Sequence, residues 1–183
     1  MRIITGKYKG RALYCPRGMD IRPTSDKARG ALFNIIGPSI AGSAFLDLFA
    51  GTGAVGLEAL SRGAAAVTAV ERDMPEIIRR NAEKLGAGPG CGYSLIPGDV
   101  FAVTRKIRSS GGRFDYVFAD PPWKEGLEGD ILESAAPLLA HGGTLILELN
   151  KRTAPPGGAP RNLSLIDTRR YGEAVFCFYR RAE

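Results

Sequence analysis

The sequence predicts an α/β protein with a mostly parallel sheet and helices on both faces. Three observations predict it. Short apolar runs alternate with amphipathic stretches from Phe45 to Leu149, the pattern left by parallel strands joined through crossover helices. A glycine-rich turn, Gly51-Thr52-Gly53-Ala54-Val55-Gly56, follows the first apolar run. Acidic residues stand at or just past the strand ends, at Glu71, Asp99 and Asp120. The chain has 183 residues, 44% of them hydrophobic, which fits one domain with one core. That domain is expected to divide into a basic N-terminal arm, residues 1–29, and a catalytic core, residues 30–183.

Residues 1–20 mix basic residues, Gly and a few apolar residues, and read as a short strand pair or an ordered arm. Thr24 or Ser25 can cap a helix with Ala28, Ala31, Leu32, Ile35 and Ile36 on its apolar face. Gly37-Pro38 stops it. Ala44–Leu48 is a short buried strand, and a helix runs from the glycine turn to Arg62, closed by Gly63. Val67–Val70 is the second strand. Met74–Leu85 is a helix with Pro75 in its first turn and Gly86 at its end. Tyr93–Ile96 is the third strand, Val100–Arg108 a helix and Tyr116–Ala119 the fourth strand. Leu127–Leu139 reads as a helix and Thr144–Leu149 as the fifth strand. After a Pro/Gly/Ala loop, Leu163–Thr168 and Ala174–Tyr179 form a hairpin turning over Arg169–Glu173.

The formal net charge is +6. Residues 1–29 hold eight basic and two acidic side chains, so the arm carries the whole excess. A local excess of that kind points to a polyanion partner, because counterion release drives such binding. Arg2, Lys7, Lys9, Arg11 and Arg22 are the candidate nucleic-acid contacts. Three widely spaced cysteines and one histidine, His141, support neither a disulfide framework nor a metal site. His141 reads as a solvated loop residue. The first residues lack the apolar core of a signal peptide, and no apolar stretch approaches the ~18 residues that span a bilayer. A soluble, cytoplasmic protein without membrane partners is the expectation.

The turn between the first strand and its helix carries the cofactor candidates Asp47, Phe49, Gly51 and Gly53. Glycines let the backbone turn sharply and approach a ligand, and the helix N-terminus offers free N–H groups. Glu71, twenty residues after Gly51, can bind both hydroxyls of a ribose. The glycines also satisfy the dinucleotide fingerprint GxGxxG, a weak signal alone. Two features favour S-adenosylmethionine over a nicotinamide dinucleotide. Asp47 would repel a pyrophosphate but suits a methionine ammonium group. Asp99 can accept a hydrogen bond from an adenine amino group, and can equally cap the next helix.

The strongest signal is Asp120-Pro121-Pro122-Trp123 after the fourth strand, at the edge where open α/β sheets bind ligands. An exocyclic amino group is a poor nucleophile because its lone pair is delocalised into the base. A carboxylate at Asp120 and the carbonyl of Pro121 can accept its two N–H bonds and free that lone pair. Pro121 and Pro122 fix φ and hold the carbonyls rigidly. Trp123 offers a flat face for stacking.

The order of these motifs resembles the class I S-adenosylmethionine-dependent methyltransferases. More narrowly, the chain is similar to the bacterial 16S ribosomal RNA guanine-N2 methyltransferase family. The carrying segments are Met1–Arg11, Arg22–Asp26, Leu32-Phe33-Asn34, Phe45–Gly53, Asp120–Trp123 and Arg170–Glu173. The resemblance implies a Rossmann-like seven-stranded sheet in the order 3-2-1-4-5-7-6 with strand 7 antiparallel. It implies methylation of one 16S guanine, conventionally position 966, in the small ribosomal subunit. Asp47, Gly51, Gly53, Glu71 and Asp99 match the family's cofactor positions, and Asp120–Trp123 its catalytic motif. Adenine N6, cytosine N4 or a glutamine amide could be served by the same tetrapeptide. Beyond these stand a nicotinamide dehydrogenase and a non-catalytic RNA-binding assembly factor.

Overall fold

The computed structural model describes residues 1–16, 25–123 and 125–182. Its centre is a seven-stranded sheet in the order β3-β2-β1-β4-β5-β7-β6, as the family resemblance implied. The strands are β1 (Ala44–Leu48), β2 (Ala66–Glu71), β3 (Tyr93–Pro97), β4 (Phe114–Ala119), β5 (Leu139–Asn150), β6 (Leu163–Tyr171) and β7 (Ala174–Arg181). The pairs β3-β2, β2-β1, β1-β4 and β4-β5 are parallel. Strand β7 runs antiparallel to both β5 and β6. Helices α1 (Asp26–Ile36), α2 (Ala54–Ser61), α3 (Pro75–Leu85), α4 (Val100–Ser109) and α5 (Glu128–Ala135) surround it. One buried cluster packs α1, α2, α3 and the arm on one face of the sheet. A second packs α4 and α5 on the other.

Most elements form where their local chemistry dictates. The Ser25 hydroxyl caps α1 by accepting from Ala28 N–H. Gly86 ends α3 in the left-handed conformation that carries no Cβ penalty. Other expectations are corrected. The buried face of α1 is Ala28, Arg29, Leu32, Phe33 and Ile36, while Ile35 stands exposed and Ala31 is only half-buried. The helix has turned to bury the Arg29 guanidinium, which donates to Asp26 at 2.9 Å. Helix α2 ends at Ser61 with Arg62 as its cap, Gly63 following at φ 101°. Helix α5 stops at Ala135 rather than Leu139, because Pro137 permits only a 3-10 turn over Ala136–Leu138. Strand β5 therefore begins at Leu139, and exposed His141 belongs to that strand instead of a loop. The final hairpin turns over Gly172-Glu173 alone, so β6 and β7 extend through much of the stretch read as turn.

The arm is docked, not free. A single antiparallel bridge joins Arg2 to Ala12, so of the two expectations residues 1–16 form the ordered arm and not a full strand pair. Ile3, Tyr8 and Leu13 enter the core. The buried Glu58 carboxylate of α2 accepts from Ile4 N–H at 2.7 Å and Thr5 N–H at 3.0 Å. Gly6 lies against the end of α2 at φ 85°, where a Cβ would fall 1.8 Å from the Ser61 carbonyl oxygen. Only glycine satisfies both the angle and the approach.

Candidate active site

The carboxyl ends of the central strands open into one cavity of about 860 Å³. Its construction starts with strand alternation. Asp47 lies two residues after Phe45, on the face that packs against α1, α2 and α3. Strand register sets Asp47 beside Phe118 on β4 and beside Ala69 on β2. Glu71 and Asp120 follow Ala69 and Phe118 by two residues each, so the three carboxylates gather on one face of one edge.

Between β1 and α2 the chain turns by unusual angles. Phe49 takes φ 59°, the only positive φ of a non-glycine residue among those described. Backbone in that region costs of order 1–3 kcal/mol and collects at functional sites. Gly51 and Gly53 follow at φ 55° and 75°. The three fingerprint glycines have different tasks. At Gly51 an added Cβ would meet only the Phe49 carbonyl at 4.0 Å, so its need is the angle. At Gly53 it would crowd Tyr93 Oη at 3.0 Å and Ile78 at 3.1 Å. At Gly56 it would press on Asp47 Oδ2 at 3.0 Å. That close approach lets Gly56 N–H donate to Asp47 Oδ2 at 2.8 Å.

Electrostatics follow from burial. Burial pushes the Asp47 carboxyl up to about 7, against the Gly56 N–H, which lowers it; the Glu71 charge adds a smaller rise. Glu71 is buried too, but backbone donors surround it. Its Oε2 accepts from Gly51 N–H at 2.8 Å, and its Oε1 from Asp73 N–H at 2.8 Å and Met74 N–H at 3.2 Å. Glu71 thus ties the glycine turn to the end of β2. Asp99 is the N-cap of α4, accepting from Ala102 N–H at 2.9 Å, and it lines the cavity as well.

Asp120 leaves β4 half-buried, its N–H reaching the Leu48 carbonyl at 3.5 Å. Burial pushes its carboxyl well above the usual carboxylate range. Glu148 on β5 and then Asp47 add to the rise, while a hydrogen bond from the Trp123 side chain opposes it. Trp123 is half-buried, Pro121 buried and Pro122 exposed, and all three line the cavity with Asp120.

Of the residues singled out in the sequence, Asp47, Phe49, Gly51, Glu71, Asp99 and Asp120–Trp123 share this one cavity. Gly53 supports the wall from behind. Arg2, Lys7, Lys9 and Arg11 are exposed on the docked arm, away from the lining, with Lys7 Nζ 5.2 Å from the centre of the Tyr8 ring. Arg22 lies outside the described residues. The sequence reading missed Phe101 and Leu127, which supply apolar wall, Asn150 at the end of β5, and Arg152 and Thr153 just past it. It also missed Glu148. Their signal was position alone: each stands at or just beyond an element end on the ligand edge. Among the described residues no helix is long and apolar enough to cross a membrane.

Comparison with known proteins agrees with this architecture. A family model described as conserved hypothetical protein 95 matches residues 1–180. Ribosomal RNA small subunit methyltransferase D of Escherichia coli K12 is 34% identical, over 99% of this chain and 90% of its own. The protein of the same name from Haemophilus influenzae is 30% identical, over 98% and 93%. Among solved structures, the Escherichia coli protein yhhF superposes with a TM-score of 0.83 at 32% identity, covering 100% of this chain and 98% of that one. The Thermus thermophilus protein TTHA0928 does so with a TM-score of 0.83 at 30% identity, covering 97% and 98%. The chain therefore belongs to the conserved hypothetical protein 95 family, and shares one family along nearly its whole length with the small-subunit ribosomal RNA methyltransferases named D.

Proposed function

We propose that the protein transfers a methyl group from S-adenosylmethionine to the exocyclic N2 amino group of a guanine in 16S ribosomal RNA, at the position conventionally numbered 966. The observation that carries the reading is the meeting of two motifs in one cavity, the glycine turn with Asp47 and Glu71, and Asp120–Trp123. The volume lies within the roughly 300–1,000 Å³ of small-molecule sites.

The residues fit a cationic cofactor. Asp47 is a buried carboxylate held near neutrality by its surroundings, and an ammonium group beside it would offset that cost. A pyrophosphate would meet Asp47 and Glu71 with like charge, which disfavours a nicotinamide dinucleotide. Asp47 and the turn would hold the methionine end, Glu71 the ribose hydroxyls, and Asp99 with Phe101 and Leu127 the adenine. When bound, the cofactor supplies a methyl group on a positively charged sulfur, already electrophilic.

The chain's own residues then position and deprotonate the nucleophile. Trp123 stacks on the base, and Asp120 with the Pro121 carbonyl accepts its two N–H bonds. Accepting them pulls the nitrogen lone pair out of conjugation. The raised affinity of Asp120 for protons equips it to take the proton the amine must lose. The preference for guanine rests on the family resemblance alone; the relatives named for small-subunit ribosomal RNA methylation support the RNA substrate.

The test is incubation of the purified chain with isotopically labelled S-adenosylmethionine and unmethylated small subunits, followed by nucleoside analysis. Label in N2-methylguanosine is the expected result. Label in N6-methyladenosine or N4-methylcytidine would replace the base assignment. No label in RNA, with cofactor still bound, would overturn the activity.

A further inference from the structure

A second concavity lies outside the site described above. It measures about 680 Å³ and is lined by Leu13, Tyr14 and Cys15 of the arm and by Arg80 and Lys84 of α3. Arg80 and Lys84 are one helical turn apart and so share a face. Both are exposed, and among the described residues neither has a carboxylate within ion-pairing distance. Arg79, next to Arg80, behaves differently and pairs with Glu76 at 2.5 Å. The Arg80 guanidinium lies 3.8 Å from the centre of the Tyr14 ring, and Tyr14 is 39% exposed. The concavity thus offers two unneutralised cations and a guanidinium already seated over an aromatic ring, with no acid among the described residues of its wall.

Its location is fixed by one buried side chain. Asn81 is fully buried. Its Oδ1 accepts from Tyr14 N–H at 2.7 Å, and its Nδ2 donates to the Tyr14 carbonyl at 3.0 Å and the Thr52 carbonyl at 2.9 Å. Thr52 belongs to the glycine turn and lines the main cavity. A ligand on the Tyr14–Arg80 stack therefore rests one carboxamide away from the cofactor turn.

We propose that Tyr14, Arg80 and Lys84 form an RNA subsite, in which Arg80 and Lys84 take backbone phosphates and a neighbouring base stacks on the Tyr14–Arg80 pair. The proposal rests on the methyltransferase reading above and adds to it a docking surface distinct from Arg2, Lys7, Lys9 and Arg11. Guanidinium and aromatic planes are the surfaces on which unpaired RNA bases stack. Phosphate contacts fix register without reading sequence. Asn81 makes the subsite rigid toward the cofactor turn, so RNA held there is held in register with the site of transfer.

The experiment measures methyl transfer to unmethylated small subunits for the wild-type chain, Lys84→Glu, and the double variant Arg80→Glu/Lys84→Glu. A control, Lys106→Glu, makes the same charge change as Lys84→Glu on α4 at the other face of the sheet. Lys84 makes none of the arm's hydrogen bonds, so its variant keeps the arm docked even if the double variant loosens it. S-adenosylhomocysteine titration checks that each variant retains the cofactor cavity. The expected result is a KM for subunits raised about fivefold in the single and more in the double variant, kcat staying within about twofold, because the variants weaken capture of phosphates and leave the chemistry alone. The log–log salt slope of subunit binding should fall by about 0.7–0.9 for each phosphate no longer neutralised. Lys106→Glu should leave both near wild type. Inorganic phosphate at millimolar concentration should not protect Cys15 from alkylation in a Cys91→Ser background, whereas subunits should. An active wild type whose KM and salt slope are unchanged by both variants overturns the subsite alone. A wild type that neither binds nor methylates subunits overturns the functional reading and the subsite with it.

Discussion

At the scale of single residues, the proposed chemistry turns on two carboxylates, and each makes a prediction. On the proposed mechanism Asp120 must be ionised to accept one N–H bond of the amino group, the Pro121 carbonyl accepting the other, and to take up the proton. Burial, Glu148 and Asp47 all raise its affinity for protons, so the ionised fraction grows as pH rises through that raised value. Transfer rate at saturating substrate should therefore climb with pH on the acid side with a slope near one, as an essential base requires. Asp120→Asn should lower kcat by about 100-fold or more and flatten the profile, leaving cofactor affinity within about twofold. A variant that loses cofactor affinity instead would move Asp120 to the other half of the cavity. Asp47 has the opposite relation to stability. Its folded value of about 7 stands above the ordinary 3.8 of an aspartate, so between those limits the folded state holds a proton that the unfolded state has released. Stability then falls as pH rises from about 4 to 7. Asp47→Asn removes that penalty and keeps an acceptor for Gly56 N–H. It should melt above wild type at pH 8, by the equivalent of up to about 4 kcal/mol, with the difference vanishing near pH 4, and it should bind cofactor more weakly. Equal melting temperatures across that range would show the Asp47 environment to be far more polar than the fold implies.

At the scale of elements, the arm and α2 are one unit joined by Glu58. That carboxylate is fully buried. Besides Ile4 and Thr5 N–H it accepts from Arg62 Nε at 2.7 Å, and Arg29 Nε lies 3.9 Å away. Removing one partner from a buried ionic cluster leaves charge uncompensated and costs about 3–5 kcal/mol. Glu58→Ala should lower stability by about 3 kcal/mol and open residues 1–16 to limited proteolysis before the core unfolds. Cleavage only after global unfolding would mean that Ile3, Tyr8 and Leu13 hold the arm without it. Elements of this kind divide into those local sequence announces and those it does not. The Ser25 cap, the Gly86 stop and the β1 run are local signals, and the structure follows them. The sequence overruns the α5 boundary because Leu138 and Leu139 continue a helical apolar pattern while Pro137 ends it from within. It misassigns the α1 face because apolar periodicity prefers Ile35, whereas the structure turns the helix to bury Arg29 against Glu58. A buried ion cluster contributed by α1 and α2, and closed by backbone donors of the arm, leaves no trace in a hydrophobic period. The same holds at the cavity, where Asp47 and Asp120 could be found from motifs but Glu148 and Asn150 are brought to that end of the sheet only through the register of β5.

At the scale of the whole molecule, charge is segregated. Residues 1–16 of the arm carry Arg2, Lys7, Lys9 and Arg11 and no acid, while the cavity edge gathers Asp47, Glu71, Asp99 and Asp120. On the proposed function a polyanion is drawn to the arm's side and repelled from the bare cavity, which puts affinity and chemistry on different surfaces. The separation lets the two be perturbed independently. Lys7, Lys9 and Arg11 are all exposed, and none forms an ion pair with a described carboxylate. Reversing all three should leave the fold intact, because surface substitutions away from caps and buried pairs stay within about 0.5 kcal/mol each. Cofactor affinity should not change, since none of the three lines the cavity. Subunit affinity at moderate salt should drop, and its log–log salt slope should shrink by about 0.7–0.9 for each phosphate that the arm ceases to neutralise. At low salt, with subunits in excess, turnover should return toward the wild-type value, because saturating the RNA bypasses a deficit that lies in capture. A slope equal to wild type would make the arm's charge a property of solubility and transfer the whole task of RNA capture to the α3 face. Turnover that stays low under saturating RNA would mean instead that the arm helps to seat the base against Trp123, tying together two surfaces that the charge distribution keeps apart.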